Sequence, residues 1–256
     1  MPLEIITVPC LADNYAYLAH DPETGETAVI DIPEAGPILN ALDARGWSAD
    51  VILLTHHHHD HVQGVPDMLE RFPQARVVGA EADQNRMPPL DLKVKEDSVV
   101  QVGAETGRVI DVSGHTVGHI AFYFPGSAAL FSADSLMALG CGRLFEGTPE
   151  MMWESLSKMA ALPPETMVYS GHEYTASNAK FALTVEPKNP ELQKRAEEIA
   201  AKRAKDEPTV PVSLETELKT NPFLRASNSD VKEALGMVHA ADSSVFARIR
   251  AMKDAF

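Results

Sequence analysis

Cysteine is nearly absent from this chain: Cys10 and Cys141 are the only two, and neither belongs to a Cys-x-x-Cys pair. A disulfide framework is therefore excluded, and both read as structural thiols. Long apolar runs are missing too. No stretch approaches the ~18 residues that a membrane-crossing helix needs, and the opening Met1-Pro2-Leu3-Glu4 is not the basic and apolar start of a leader. A cytoplasmic location is the expectation. Positive charge is scarce, with 22 Lys and Arg against 37 Asp and Glu and a net charge of −15. That balance argues against nucleic acid and against an anionic membrane surface as partners. Repeats and low-complexity segments are lacking as well.

The acid excess is uneven. Residues 1–172 hold 24 acids against 9 Lys and Arg, whereas residues 173–256 hold 13 of each. Two domains of different character are expected, 1–172 and 173–256. In the first, short apolar runs alternate with single helical stretches, predicting a layered α/β architecture. Strands are expected over Leu3 to Val8 with a break at Pro9, over Tyr15 to Leu18 and over Thr27 to Ile32. A helix is expected from Ala35 to Arg45 and another from Val62 to Arg71. After His172 the pattern turns helical, with Asn189-Pro190-Glu191 opening one helix, and Ser229-Asp230 and Asp242-Ser243 capping two more.

What is abundant is histidine at strand ends. Five of the ten histidines occupy six positions in Thr55-His56-His57-His58-His59-Asp60-His61, directly after the apolar run Val51 to Leu54. Such a run reads as a strand buried on both faces, and its carboxyl end is where ligands collect in α/β sheets. Asp60 interrupts the histidines, so the run is not a purification tag. His56 and His58 stand two apart and can grip one ion from one side of extended backbone. Asp60 and His61 can face a second ion. His57 and His59 are expected to point away, behind the ligands or into loop packing.

The same logic recurs three times. Gly114-His115 follows the strand ending at Val112, with His119 expected to stand behind the ligands. Asp134 follows Ala129 to Ser132, and His172 follows Thr166 to Ser170. A lone aspartate after a strand is usually a turn former. As one of four strand ends delivering a possible ligand, Asp134 reads better as a bridge between metals. Five histidines and two aspartates exceed one tetrahedral ion and fit two. His and Asp suit zinc, iron and manganese alike.

The Thr-His-x-His-x-Asp-His motif at 55–61, with His115, Asp134 and His172 in order, resembles the metallo-β-lactamase superfamily. Downstream, Gly140-Cys141-Gly142-Arg143-Leu144-Phe145-Glu146-Gly147-Thr148, Gly171-His172-Glu173-Tyr174-Thr175, Asn178-Ala179-Lys180-Phe181-Ala182, Thr220-Asn221-Pro222-Phe223-Leu224-Arg225 and Lys253-Asp254-Ala255-Phe256 resemble the hydroxyacylglutathione hydrolase (glyoxalase II) family. The resemblance implies a metallo-β-lactamase-like four-layered αβ/βα sandwich followed by an all-helical glutathione-binding domain. It implies two divalent ions per chain, zinc before iron or manganese. His56, His58 and His115 would hold one ion, Asp60, His61 and His172 the other, with Asp134 bridging.

The implied activity is hydrolysis of S-(2-hydroxyacyl)glutathione, typically S-D-lactoylglutathione, to a 2-hydroxy acid and glutathione, the second step of methylglyoxal detoxification. Asp60 and Asp134 would orient a metal-bridging hydroxide. Substrate contacts fall on Arg143, Phe145, Tyr174, Arg250 and Lys253, the last two on one face of an exposed terminal helix. The expected partner is the glutathione thioester alone, and the chain is expected to be monomeric. Three departures from the family pattern stand out: Gln63 where a glycine is usual, Ala133 where Gly precedes the aspartate, and Phe145 in place of Tyr. The competing activity in the same superfamily is an iron-dependent persulfide dioxygenase; a non-catalytic metal-binding protein is the remaining alternative.

Overall fold

The computed structural model describes residues 1–256. Its first sheet is six-stranded and mixed. Strands β1 (Glu4–Cys10), β2 (Asn14–His20) and β3 (Thr27–Ile30) pair antiparallel, and β3 continues in parallel with β4 (Val51–Leu53), β5 (Arg76–Ala80) and β6 (Leu92–Val94). Helix α1 (Ala35–Asp43) connects β3 to β4, and α2 (His59–Val62) and α3 (Val65–Arg71) connect β4 to β5. β1 runs through Pro9 rather than breaking there. It lies at the sheet edge, the place in a sheet where proline is tolerated.

The single helix predicted over 62–71 is two. Gly64 separates them: its N–H donates to the Ile32 carbonyl at 3.0 Å instead of to a carbonyl one turn back, an approach only glycine allows, since a Cβ there would lie 2.7 Å from Ile32 Cγ2. Pro66 then begins a fresh helix, as proline in a first turn can. β4 is buried on both faces, as its sequence predicts. Around it Val29, Ile52 and Leu54 pack with Ile38 and Leu42 of α1 and Met68 of α3. Each such side chain contributes about 1.5–3 kcal/mol by leaving water.

A second six-stranded sheet contains the antiparallel meander β7 (Val99–Val102), β8 (Glu105–Asp111), β9 (Ile120–Phe124) and β10 (Ala129–Ala133). The chain continues through a small hairpin, β11 (Leu136–Met137) and β12 (Gly140–Cys141), then α4 (Pro149–Ala160), β13 (Met167–Ser170), α5 (Thr175–Val185) and α6 (Pro190–Arg203). It ends with β14 (Val212–Ser213), α7 (Leu214–Thr220), α8 (Ser229–Ala234) and α9 (Asp242–Asp254). The cap of α8 is Asn228, whose side chain accepts from the N–H groups of Asp230 and Val231, not Ser229 or Asp230 as the sequence suggests. At α9 the flanking residue is Ala241, with Asp242 already inside the first turn. Asn189 does cap α6, accepting from Glu191 and Leu192.

The chain divides into two compact units, residues 1–111 with 117–132 and residues 112–116 with 133–256. The second has its own core, in which Leu139, Ala179, Ala182, Leu192 and Ile199 pack together and Phe223 meets both Phe181 and Phe246. No helix is long and apolar enough to cross a membrane.

Candidate metal centre

In the first unit, β4 ends at Leu53 and the backbone leaves the sheet carrying Thr55 to His61. His56 Nε2 and His58 Nδ1 face each other at 3.1 Å. Two nitrogens bound to one tetrahedral ion at the usual bond length lie ~3.3 Å apart, so this spacing suits a shared cation. Behind them stands Asp31, which the sequence reading passed over as the end of a strand. Its carboxylate accepts the Thr55 N–H (2.8 Å), the Thr55 hydroxyl (2.8 Å) and His61 Nδ1–H (2.8 Å). The Thr55 hydroxyl is thus committed as a donor, and it can only accept from His56 Nδ1–H at 3.0 Å. Both His56 and His61 are left with a bare Nε2, the form in which imidazole binds metal.

Asp31, His56 and His61 themselves form a compact buried trio. The three bonds already made to Asp31 mark it as the group that orients the two histidines rather than as a ligand. It adopts a left-handed backbone at φ 56, a conformation that Asp tolerates better than most residues and that concentrates at functional sites. Asp60 is steadied separately. Asn14 Nδ2 donates to its backbone oxygen and to its Oδ2, each at 3.1 Å. His57 turns to Asp83 (2.9 Å) and His59 is exposed, so neither joins the ligand group. His119 is fully buried and stacks on His56 at 4.5 Å.

In the second unit one oxygen organises the site. Asp134 Oδ2 lies 3.5 Å from His115 Nε2 and 3.3 Å from His172 Nε2. A single carboxylate oxygen addressed by two imidazole nitrogens at ligand-to-ligand spacing suits an oxygen that two cations could share, one at each imidazole. His115 is aimed by its other nitrogen, since Nδ1–H donates to the Arg143 carbonyl at 2.8 Å. Gly142 makes that approach possible: a Cβ there would lie 2.1 Å from the Asp134 carbonyl and 2.7 Å from His115 Nδ1. His172 is brought alongside by the Gly171 N–H, which donates to the Ala133 carbonyl at 3.0 Å. Ala133 sits at φ 41, a left-handed position that costs alanine more than glycine.

The five substrate-contact candidates also belong to the second unit. Phe145 is 63% exposed and meets the His115 ring edge-on, and Tyr174 stacks on His172 with centroids 4.7 Å apart. Arg143 lies 4.0 Å from Asp254. Arg250 is not the exposed side chain expected from the sequence. It is 5% exposed, donates to the Cys141 carbonyl at 2.9 Å and to Asp254 Oδ1 through Nε and Nη2, and lies over the Phe223 ring. Lys253 is half-buried, reaches Ser177 and lies over the rings of Phe181 and Phe256. Burial, then the neighbouring Arg250 and Arg143, pushes its pKa below the usual lysine value.

Residues 23–172 match the family model of the metallo-β-lactamase superfamily, and residues 173–256 match that of the hydroxyacylglutathione hydrolase C-terminus. A hydroxyacylglutathione hydrolase from Cereibacter sphaeroides is 62% identical over 256 residues, covering all of both chains. Among solved structures, the B3 metallo-β-lactamase BLEG-1 aligns with a TM-score of 0.67 at 21% identity, over 86% of this chain and 99% of its own. The protein TTHA1623, crystallised in a di-iron-bound form, aligns with a TM-score of 0.62 at 27% identity, over 86% and 100%. The mixed sheets and helical C-terminal region are thus those of the metallo-β-lactamase fold, and the chain belongs to the hydroxyacylglutathione hydrolase family of the metallo-β-lactamase superfamily.

Proposed function

We propose that the chain hydrolyses the thioester of S-(2-hydroxyacyl)glutathione, typically S-D-lactoylglutathione, releasing a 2-hydroxy acid such as D-lactate and glutathione. The family membership and the full-length 62% identity support the activity. The observation that carries the dinuclear reading is the single Asp134 oxygen addressed by His115 and His172. In this reading His56, His58 and His115 hold one divalent ion, Asp60, His61 and His172 hold the other, and Asp134 bridges. Zinc is the first choice on the family resemblance, with iron or manganese as substitutes, since His and Asp donors suit all three.

When bound, such ions lower the pKa of water and polarise a thioester carbonyl. The chain's own residues do the rest. Asp31, directly for His61 and through Thr55 for His56, fixes the tautomer that points Nε2 at the ion, and the Arg143 carbonyl does so for His115. Asp60 and Asp134 orient the attacking water with their carboxylates. Residues 173–256 form the glutathione-binding domain and residues 1–172 the hydrolase domain. Lys253 and Arg143 present positive charge to a glutathione carboxylate, and Arg250 adds to the same field from its buried position. Phe145 and Tyr174 give the substrate apolar walls, although Phe145 has no hydroxyl to donate. A cytoplasmic monomer completes the reading.

A thiol-release assay on S-D-lactoylglutathione, paired with metal analysis, tests it. Thiol release that stops on chelation and returns with added zinc is the expected result. Absence of release by protein carrying two ions would overturn the substrate, and an oxygen-dependent reaction on glutathione persulfide would favour the dioxygenase.

A further inference from the structure

The Thr220-Asn221-Pro222-Phe223-Leu224-Arg225 segment has no part in holding ions or substrate in the reading above, yet Asn221 is fully buried. Its side-chain amide is committed to the hairpin β11–β12. Nδ2 faces the Gly140 carbonyl at 3.0 Å, the Met137 carbonyl at 3.3 Å and Glu217 Oε2 at 2.9 Å, while Oδ1 accepts the Phe223 N–H at 3.0 Å. Glu217 is also fully buried, is paired with Arg195, and accepts the Leu139 N–H at 3.0 Å. Asn178 of α5 donates to the Ala138 carbonyl at 3.0 Å. Three buried side chains therefore bind the backbone of four consecutive residues, 137–140.

Such a hairpin does not hold itself. It has two residue pairs, Leu136 with Cys141 and Met137 with Gly140, and Leu139 at its tip sits at φ 56. A two-stranded hairpin is marginal in water even when long. Its shape is imposed by α5 and α7. Its return strand then carries Gly142, whose N–H donates to Ser135 O at 3.3 Å, and Arg143, whose carbonyl fixes His115 Nδ1–H.

We propose that Asn221 and Glu217 are positioning residues for the metal centre: they set the hairpin, and the hairpin sets the carbonyl that aims His115 Nε2 at Asp134. The inference rests on the metal reading above. It is tested in the full-length protein with Asn221→Ala, and with Asn178→Ala as a milder variant that removes one hairpin bond. Zinc affinity, the visible spectrum of the cobalt-substituted protein, the labelling rate of buried Cys141 and the melting of metal-free protein are measured for each.

A weakening of zinc binding by about 10- to 100-fold, the range for losing a group that orients a metal ligand, with an altered cobalt spectrum and faster Cys141 labelling, is the expected result. Wild-type zinc affinity and cobalt spectrum in both variants, with melting alone lowered, would make these residues merely structural and overturn the proposal. If Asn221→Ala does not fold, Asn178→Ala decides on the same readouts. Wild-type protein that takes up no zinc would instead overturn the metal reading itself, which the variants do not test.

Discussion

In the unit formed by residues 1–111 and 117–132, side chains stand behind two of the candidate ligand histidines, the Asp31 carboxylate behind His61 and, through it, the Thr55 hydroxyl behind His56. In the other unit the group behind His115 is a backbone carbonyl, that of Arg143. Both devices fix a tautomer, but they differ in what sustains them. A buried carboxylate brings charge and makes the imidazole a stronger donor to metal. A carbonyl brings direction only, and its direction depends on the conformation of the loop that carries it. The first unit thus stores its geometry in side chains and the second in chain path.

The sharpest break in that comparison is Asp134→Ala, which removes the oxygen shared by His115 and His172. Metal content should fall below one ion per chain and thiol release should nearly vanish, as metal analysis and a thiol assay would show. Asp31→Asn comes next. It keeps a residue tolerant of φ 56 but weakens three hydrogen bonds, so zinc affinity should drop by about 10- to 100-fold while Asp134 keeps its neighbours. Zinc titration against a chelator measures this. Equal losses in the two variants would erase the distinction between shared ligand and orienting carboxylate.

Smaller effects separate Arg250 from Lys253. Arg250→Ala removes buried, charge-assisted bonds to the Cys141 carbonyl and Asp254, so the unfolding free energy from denaturant titration should fall by about 2 kcal/mol. Lys253→Ala should leave stability nearly unchanged and raise KM severalfold with kcat spared, because a contact remote from the thioester serves ground and transition states alike. The lowered pKa of Lys253 gives this a pH signature. As pH rises through that value, the charge is lost and KM should climb. The sign for stability is opposite. Between the folded value and the unfolded one the unfolded chain binds more protons, so this group's small contribution to stability grows with pH. The smallest effect concerns the thiols. Burial pushes Cys10 up to about 12 and Cys141 up to about 11, so native protein at pH 8 should react slowly with a disulfide reagent and take up two equivalents only when unfolded.

The His and Asp clusters that could hold metal were legible in the sequence because histidine and aspartate are rarely placed at four strand ends by packing needs alone. The groups behind them were not. Asp31 follows a strand as an ordinary turn former would, and nothing adjacent in sequence signals that His61 and Thr55 fold back onto it. Arg250 shows the same gap in reverse: its spacing from Lys253 predicted a shared exposed face, whereas a guanidinium with a carbonyl acceptor can be buried. Among the elements, α4 and α7 went unread although Thr148-Pro149-Glu150 and Ser213 supply ordinary helix starts. Short strands such as β11 and β12 carry too few residues for any periodicity. Gly64 was visible, but only the contact with Ile32 explains why it divides a helix.

That His115 leans on a carbonyl has a consequence for inheritance. Every residue type carries the same carbonyl, so no amino-acid substitution at Arg143 deletes the acceptor, and a change there alters the charge offered to substrate without removing the group behind the imidazole. Length is another matter. Adding or dropping one residue between Ser135 and Gly142 would rotate the acceptor away from His115 however conservative the residue chosen, so the length of this stretch is held by the same carbonyl.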